Sequence, residues 1–65
     1  MITKGMKVKF TEETLNIYKT GVIVDIIKET MKEPMIVTDI ETFDDDVRVQ
    51  INNNRWFQAT DLEIA

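Results

Sequence analysis

The segment "VRVQINNNRWFQATDLE", residues 47 to 63, constrains the fold more than any other part of this chain. Val47, Val49 and Ile51 alternate with Arg48 and Gln50, the period-two pattern of a strand with one covered face. Three asparagines interrupt, and Trp56 and Phe57 follow as neighbours, so their rings must face opposite sides of a second strand. A three-residue loop over Asn52–Asn54 sets Ile51 opposite Arg55, Gln50 opposite Trp56 and Val49 opposite Phe57. A two-residue turn at Asn53–Asn54 would instead set the aliphatic residues beside Trp56, Gln58 and Thr60. A one-residue slip turns every side chain to the other face, so packing selects the register that groups Val47, Val49, Ile51, Phe57 and Ala59. Asparagine tolerates the left-handed backbone that such a loop needs. Phe57 is then the core aromatic, and Trp56 lies outside with Arg48, Gln50 and Gln58.

The remaining apolar segments are short and β-branched, and they read as strands. "MKVKF" alternates Met6, Val8 and Phe10 against Lys7 and Lys9. "GVIVDIIKE" is almost continuously apolar, as a long central strand buried on both sides would be. "MIVTDI" is a weaker strand, and "KETMKEP" and "ETFDDD" read as loops. Gly5 and Gly21 punctuate the starts of two strands. The one helical fragment is "TEETLNIYK", a turn or two within a loop, with Thr11 as its cap and Glu12 and Glu13 in its first turn. Several short strands in 65 residues point to a small β-barrel formed by one domain spanning residues 1–65, near the lower size limit for a chain without staples. Its expected core is Val8, Phe10, Ile23, Ile26, Val47, Val49, Ile51, Phe57 and Leu62.

"KGMKVKF", "KTGVIVDI" and "VRVQINNNRWFQATDLE" together resemble the SH3-like barrels of the KOW and Tudor-like type. That resemblance implies an all-β barrel of five to six short antiparallel strands, with one 3₁₀ turn ending in Leu62–Glu63 near the C-terminus. It covers most of the chain except residues 29–46, which look like an enlarged loop between the second and third strands. "RWFQATDLE" is also similar to the ends of SH3-like accessory subunits of photosynthetic electron-transfer complexes. "VQI" at Val49–Ile51 resembles the folate-site motif of plasmid-type dihydrofolate reductases, although there a tyrosine and the final strand follow and here "NNN" does. Barrels of this type serve many unrelated functions, so the resemblance implies a fold rather than an activity.

Composition narrows the chemistry. Neither cysteine nor histidine is present, which removes disulfides, thiol catalysis, zinc ribbons and the usual general base at neutral pH. A barrel this small is filled by its own side chains, so no enzyme activity and no cofactor are expected. Asp44, Asp45 and Asp46 lack the spacing and the glycine of an EF-hand and read as a solvated acidic loop, not as a metal site. No apolar h-region or membrane-length run is visible, so a soluble, cytoplasmic protein without a membrane partner is expected.

Charge is unevenly distributed. The chain carries −4 in total: residues 1–32 hold six lysines and four acids, residues 33–65 two arginines and eight acids. That balance disfavours nucleic acid as a partner, because phosphate binding would work against the whole-molecule charge. Lys4, Lys7, Lys9 and Lys19 form only a modest basic patch. The expected role is a non-catalytic binding or accessory module that docks onto a larger protein assembly, the partner being basic where it meets the acidic loop. Candidate contact residues are Trp56, Arg48 and Gln50 on the outer hairpin face, Tyr18 in the loop after the first strand, and Phe43 with Asp44, Asp45 and Asp46. Alternatives are a KOW-type nucleic-acid- or ribosome-associated barrel, or a small acidic inhibitor that imitates nucleic-acid charge.

Overall fold

A computed structural model describes all 65 residues, in the order β1 (Val8–Phe10), α1 (Glu12–Ile17), α2 (Val22–Thr30), β2 (Val37–Phe43), β3 (Asp46–Ile51), β4 (Trp56–Gln58), a 3₁₀ turn (Ala59–Asp61) and β5 (Leu62–Ile64). The strands make two antiparallel sheets, a β2–β3–β4 meander and a β1–β5 pair. An isolated bridge between Lys7 and Ile36 stitches the sheets together. Around it, Gly5 N–H donates to the Val37 carbonyl at 2.8 Å, Val37 N–H to the Met6 carbonyl at 3.0 Å, and Val8 N–H to the Met35 carbonyl at 2.9 Å. The pairings do not close into a barrel.

The β3–β4 hairpin has the three-residue register expected from side-chain parity. Arg48 pairs with Gln58, Val49 with Phe57 and Gln50 with Trp56, and Ile51 N–H donates to the Arg55 carbonyl at 2.9 Å. Asn52 and Asn53 supply the left-handed backbone, with φ of 53° and 56°. The capped fragment after β1 also forms. In α1, Thr11 Oγ1 accepts from Thr14 N–H at 3.1 Å, and Glu12 and Glu13 occupy the first turn. Six residues cannot sustain a helix alone. The buried Thr14 hydroxyl donates to Asp61 Oδ1 at 3.2 Å, and Thr11 N–H donates to the Asp61 carbonyl at 3.0 Å, which fastens α1 to the 3₁₀ turn.

The largest correction concerns "GVIVDIIKE". It is not a central strand but the helix α2, so the protein is β-rich rather than all-β. Six of the nine α2 residues are β-branched, and local propensity favours a strand. Tertiary packing overrides that preference: Val24 and Ile27, three apart, turn inward and are buried. Gly21 starts the helix with φ 99° and ψ −174°, a backbone region open essentially to glycine alone. Asp25 near the N-terminus and Lys28 in the last turn complement the helix dipole.

With α2 helical, the enlarged connection lies between the first and second strands, not between the second and third. "MIVTDI" becomes the start of a seven-residue β2, and "ETF", expected as loop, extends that strand to Phe43. A contiguous core joins Val8, Phe10, Ile27, Met35, Val37, Val49, Ile51 and Leu62. Phe57 is half-buried at its edge, its ring packed edge-to-face on Phe10 with centroids 5.1 Å apart. Three expected core residues lie elsewhere: Ile26 is half-buried, while Ile23 and Val47 are exposed. Val47 keeps the inward parity of Val49, but the hairpin runs on past the material that covers it. Ile27, Met35 and Val37 belong to the core instead.

Candidate functional site

Antiparallel partners share a face of the sheet, so the register defines the outer surface row by row. Asp39, Gln50 and Trp56 form one row, Glu41, Arg48 and Gln58 the next, and Phe43 with Asp46 the last before the turn. This face therefore gathers Trp56, Arg48, Gln50, Phe43 and Asp46, five of the eight sequence-predicted contact residues. Asp44 and Asp45 form the turn beyond them, Asp44 with a left-handed φ of 50°. Tyr18 is not part of this group; it caps the C-terminus of α1.

The two aromatic side chains of the face are open to solvent, Trp56 at 38% and Phe43 at 62% relative exposure. Phe43 ends β2 rather than lying in a loop, with its side chain open to solvent. Arg48 makes neither a salt bridge nor a ring contact: the ion pairs are Lys4–Asp39 and Lys9–Glu63, and the aromatic contact is Phe10–Phe57. Gln50 is held more firmly. Its Oε1 accepts from the Thr38 hydroxyl at 3.2 Å, and its Nε2 donates to the Asn54 carbonyl at 3.4 Å.

Electrostatically the face carries one guanidinium with its acids on one side, along β2 and at the turn. Glu41 pairs with Arg48, Asp39 and Asp46 occupy the rows on either side, and Asp44 and Asp45 follow in the turn; Asp39 is set apart from the others. Its Oδ1 accepts the Ile40 N–H at 2.8 Å and lies 3.4 Å from Lys4 Nζ. The Ile40 hydrogen bond, aided by Lys4, holds the Asp39 carboxyl below its ordinary pKa against the opposing effect of desolvation. Lys4 thus offsets one acid, leaving the negative field concentrated on Glu41 and the turn. Lys4 and Lys9 are both engaged in ion pairs, which reduces the free charge of the lysine patch.

Neither the sheet face nor the turn encloses a cavity. An open cleft of about 350 Å³ lies between the end of α2 and the asparagine loop, lined chiefly by Glu29, Lys32, Glu33, Asn52 and Arg55. None of the predicted contact residues reaches it. No protein-family model, curated protein or solved structure matches this chain. The geometry of its own residues is therefore what a functional reading rests on.

Sequence reasoning missed the part played by Asn52. Its backbone N–H donates to the Ile36 carbonyl at 3.0 Å, and its side-chain Oδ1 accepts from the Ile36 N–H at 3.0 Å. Its Nδ2 donates to the Pro34 carbonyl, also at 3.0 Å. One residue thus extends the β2–β3 ladder past the end of β3 and fixes the segment that leads into β2. Its neighbour Asn53 donates its backbone N–H to Thr38 Oγ1 at 2.9 Å. The local signal, three asparagines in a tight loop, indicated backbone conformation but not a partner sixteen residues away.

Proposed function

We propose that this chain is a non-catalytic protein-binding or accessory module, and that the outer face of β2–β3–β4 docks a partner with a basic surface. The observation that carries the reading is the grouping of Trp56 and Phe43, both exposed, with an acidic turn on one sheet face. Exposed aromatic residues beside an arginine are the residue types that dominate interface energetics. Surrounding carboxylates steer a basic partner and raise its association rate. We place the chain among SH3-like barrels: its strand order through the Lys7–Ile36 bridge is β5–β1–β2–β3–β4, and a 3₁₀ turn separates β4 from β5. On that reading, α1 and α2 occupy the long loop after the first strand, and the open pairing is a loosened barrel.

The test starts from affinity capture with the full chain, followed by surface plasmon resonance on the captured partner at two ionic strengths. Charge steering weakens as the screening length falls from ~10 Å at 0.1 M salt to ~3 Å at 1 M, whereas burial of an indole does not. Replacing Asp44, Asp45 and Asp46 by Asn should slow association and flatten its salt dependence. Trp56→Ala should mainly speed dissociation. Binding unchanged by both sets would overturn the assignment of this face. A gel shift with generic DNA or RNA at low salt would favour the KOW-type alternative instead.

A further inference from the structure

One strand edge is left without a partner. β2 pairs with β3 along one side from Val37 to Phe43, and on its other side it meets the lead-in to β1 only at its start. There Gly5 and Met6 bond to Val37, and Lys4 reaches Asp39. Met6 N–H donates to the Thr3 carbonyl at 3.2 Å, so the lead-in turns instead of running on beside the rest of β2. From Ile40 to Phe43 no strand lies on that side. In an antiparallel ladder, successive residues direct their backbone groups alternately toward and away from the neighbouring strand. Ile40 marks the outward set, because its N–H donates to the Asp39 carboxylate at 2.8 Å rather than to β3. Thr42, two residues on and exposed, belongs to the same set. The edge therefore offers the Ile40 carbonyl and both backbone groups of Thr42, while a side chain holds the Ile40 N–H.

The complement of a row of backbone donors and acceptors is another extended backbone. Charge decides whose. Residues 39–46 contain five acids and no base. Asp39 and Glu41 stand beside the edge on the outer face, and Ile40 and Thr42 on the inner one. A second copy of this edge would set like charges against each other, which opposes pairing. A basic strand meets no such penalty. The molecule itself shows the match: Lys4, on the lead-in beside the start of β2, has its Nζ 3.4 Å from Asp39 Oδ1. On the inner face Val47, across from Thr42, is 38% exposed and offers an uncovered apolar position.

We propose that the partner contributes an extended segment, in which lysine or arginine alternates with apolar residues, and that this segment adds as a strand to the free edge of β2 at Ile40–Phe43. The proposal rests on the reading that the partner is basic and gives that reading a mode of binding. A carbonyl of the incoming strand takes over the Ile40 N–H from Asp39, whose carboxylate remains for the cations of that strand. Its basic side chains fall beside Asp39 and Glu41, and its apolar ones beside Ile40, Thr42 and Val47.

The probe is a short peptide of alternating lysine and valine, blocked at both ends and titrated into the isotope-labelled full chain to about 1 mM. Amide shifts should move chiefly at residues 39–43, and the Thr42 N–H should gain protection from solvent exchange. Two N-methylated forms, one modified at its valines and one at its lysines, keep every charge and side chain but each lose the donors of one edge. One of them should bind at least about tenfold more weakly than the parent peptide, and the other about as well. A glutamate–valine peptide should not bind. Absence of binding by the lysine–valine peptide, equal binding by the two N-methylated forms, or shifts centred on Trp56 and Arg48 without protection at Thr42 would each overturn strand addition. The last result would leave the outer face of β2–β3–β4 standing as a docking surface. Conversely, a captured partner indifferent to the Trp56 and Asp44–Asp46 substitutions would overturn that face and not the edge.

Discussion

Asn52 offers the sharpest test of how the two sheets are held in register. Asn52→Ala leaves the Ile36 N–H without its acceptor in a partly buried setting, where an unsatisfied donor costs about 1–2 kcal/mol. It also places an alanine at φ 53°, where a Cβ without a local hydrogen bond adds about 1 kcal/mol. The expected loss is therefore about 2–3 kcal/mol, or roughly 10–20 °C in Tm for a domain of this size. Asn52→Gly loses the same side-chain bonds but none of the backbone freedom, so it should lie about 1 kcal/mol above the alanine variant. Asn53→Gly makes the complementary control. Asn53 has a φ of 56° and donates only through its backbone, so glycine there should be neutral or stabilise by up to about 1 kcal/mol. Urea denaturation followed by the fluorescence of the single tryptophan, Trp56, measures all three. Asn52→Ala within 0.5 kcal/mol of the parent (roughly the scatter of neutral surface changes), or a larger loss at Asn53 than at Asn52, would refute the clamp.

Further expectations concern the hairpin faces and the acid end of the stability curve. Phe57→Ala removes the ring packed on Phe10 and should cost about 2–4 kcal/mol, whereas Trp56→Ala on the outer face should cost clearly less; equal losses in thermal melts would contradict the register. The Asp39 carboxyl is lower in pKa when folded than its ordinary 3.8, so its contribution is complete above that value and fades as pH falls through the folded pKa. Urea midpoints measured between about pH 2 and 6 should show that loss in the parent and a shallower one in Asp39→Asn, because only a carboxylate there gains from Lys4 and the Ile40 N–H.

Legibility in the sequence followed the distance over which a feature is decided. The β3–β4 register was readable because alternation and a three-residue loop are local, and a slip would have exposed Val49 and Phe57 together. The Thr11 cap was readable for the same reason. The fate of "GVIVDII" was not, because an almost continuously apolar run displays neither period clearly, and β-branched residues lean toward a strand. What decides it is contact between Val24, Ile27 and the rest of the fold, which no seven-residue window contains. Val47 was misplaced because alternation reports which side a residue faces, not whether anything covers that side. Within the candidate site, the grouping of Trp56, Arg48 and Gln50 followed from period two. The separation of Tyr18 from them depends on the path of the α1–α2 connection, which no local pattern specifies.

The pairing of β1 with β5 has a consequence for the order of folding. Val8 meets Ile64 and Phe10 meets Leu62, so this small ladder closes a loop spanning nearly the whole chain. The β2–β3–β4 meander closes only short loops and forfeits far less chain entropy at the outset. On a ribosome the meander can form as soon as Gln58 has emerged, while the β1–β5 ladder must wait for the last strand. In kinetic terms, substitutions at Val49 and Phe57 should slow folding, and substitutions at Val8 and Leu62 should chiefly accelerate unfolding. The reverse pattern in chevron plots would place the terminal ladder in the nucleus. In the expected pattern, by contrast, the β1–β5 ladder is the latch of the domain, made last and first to open.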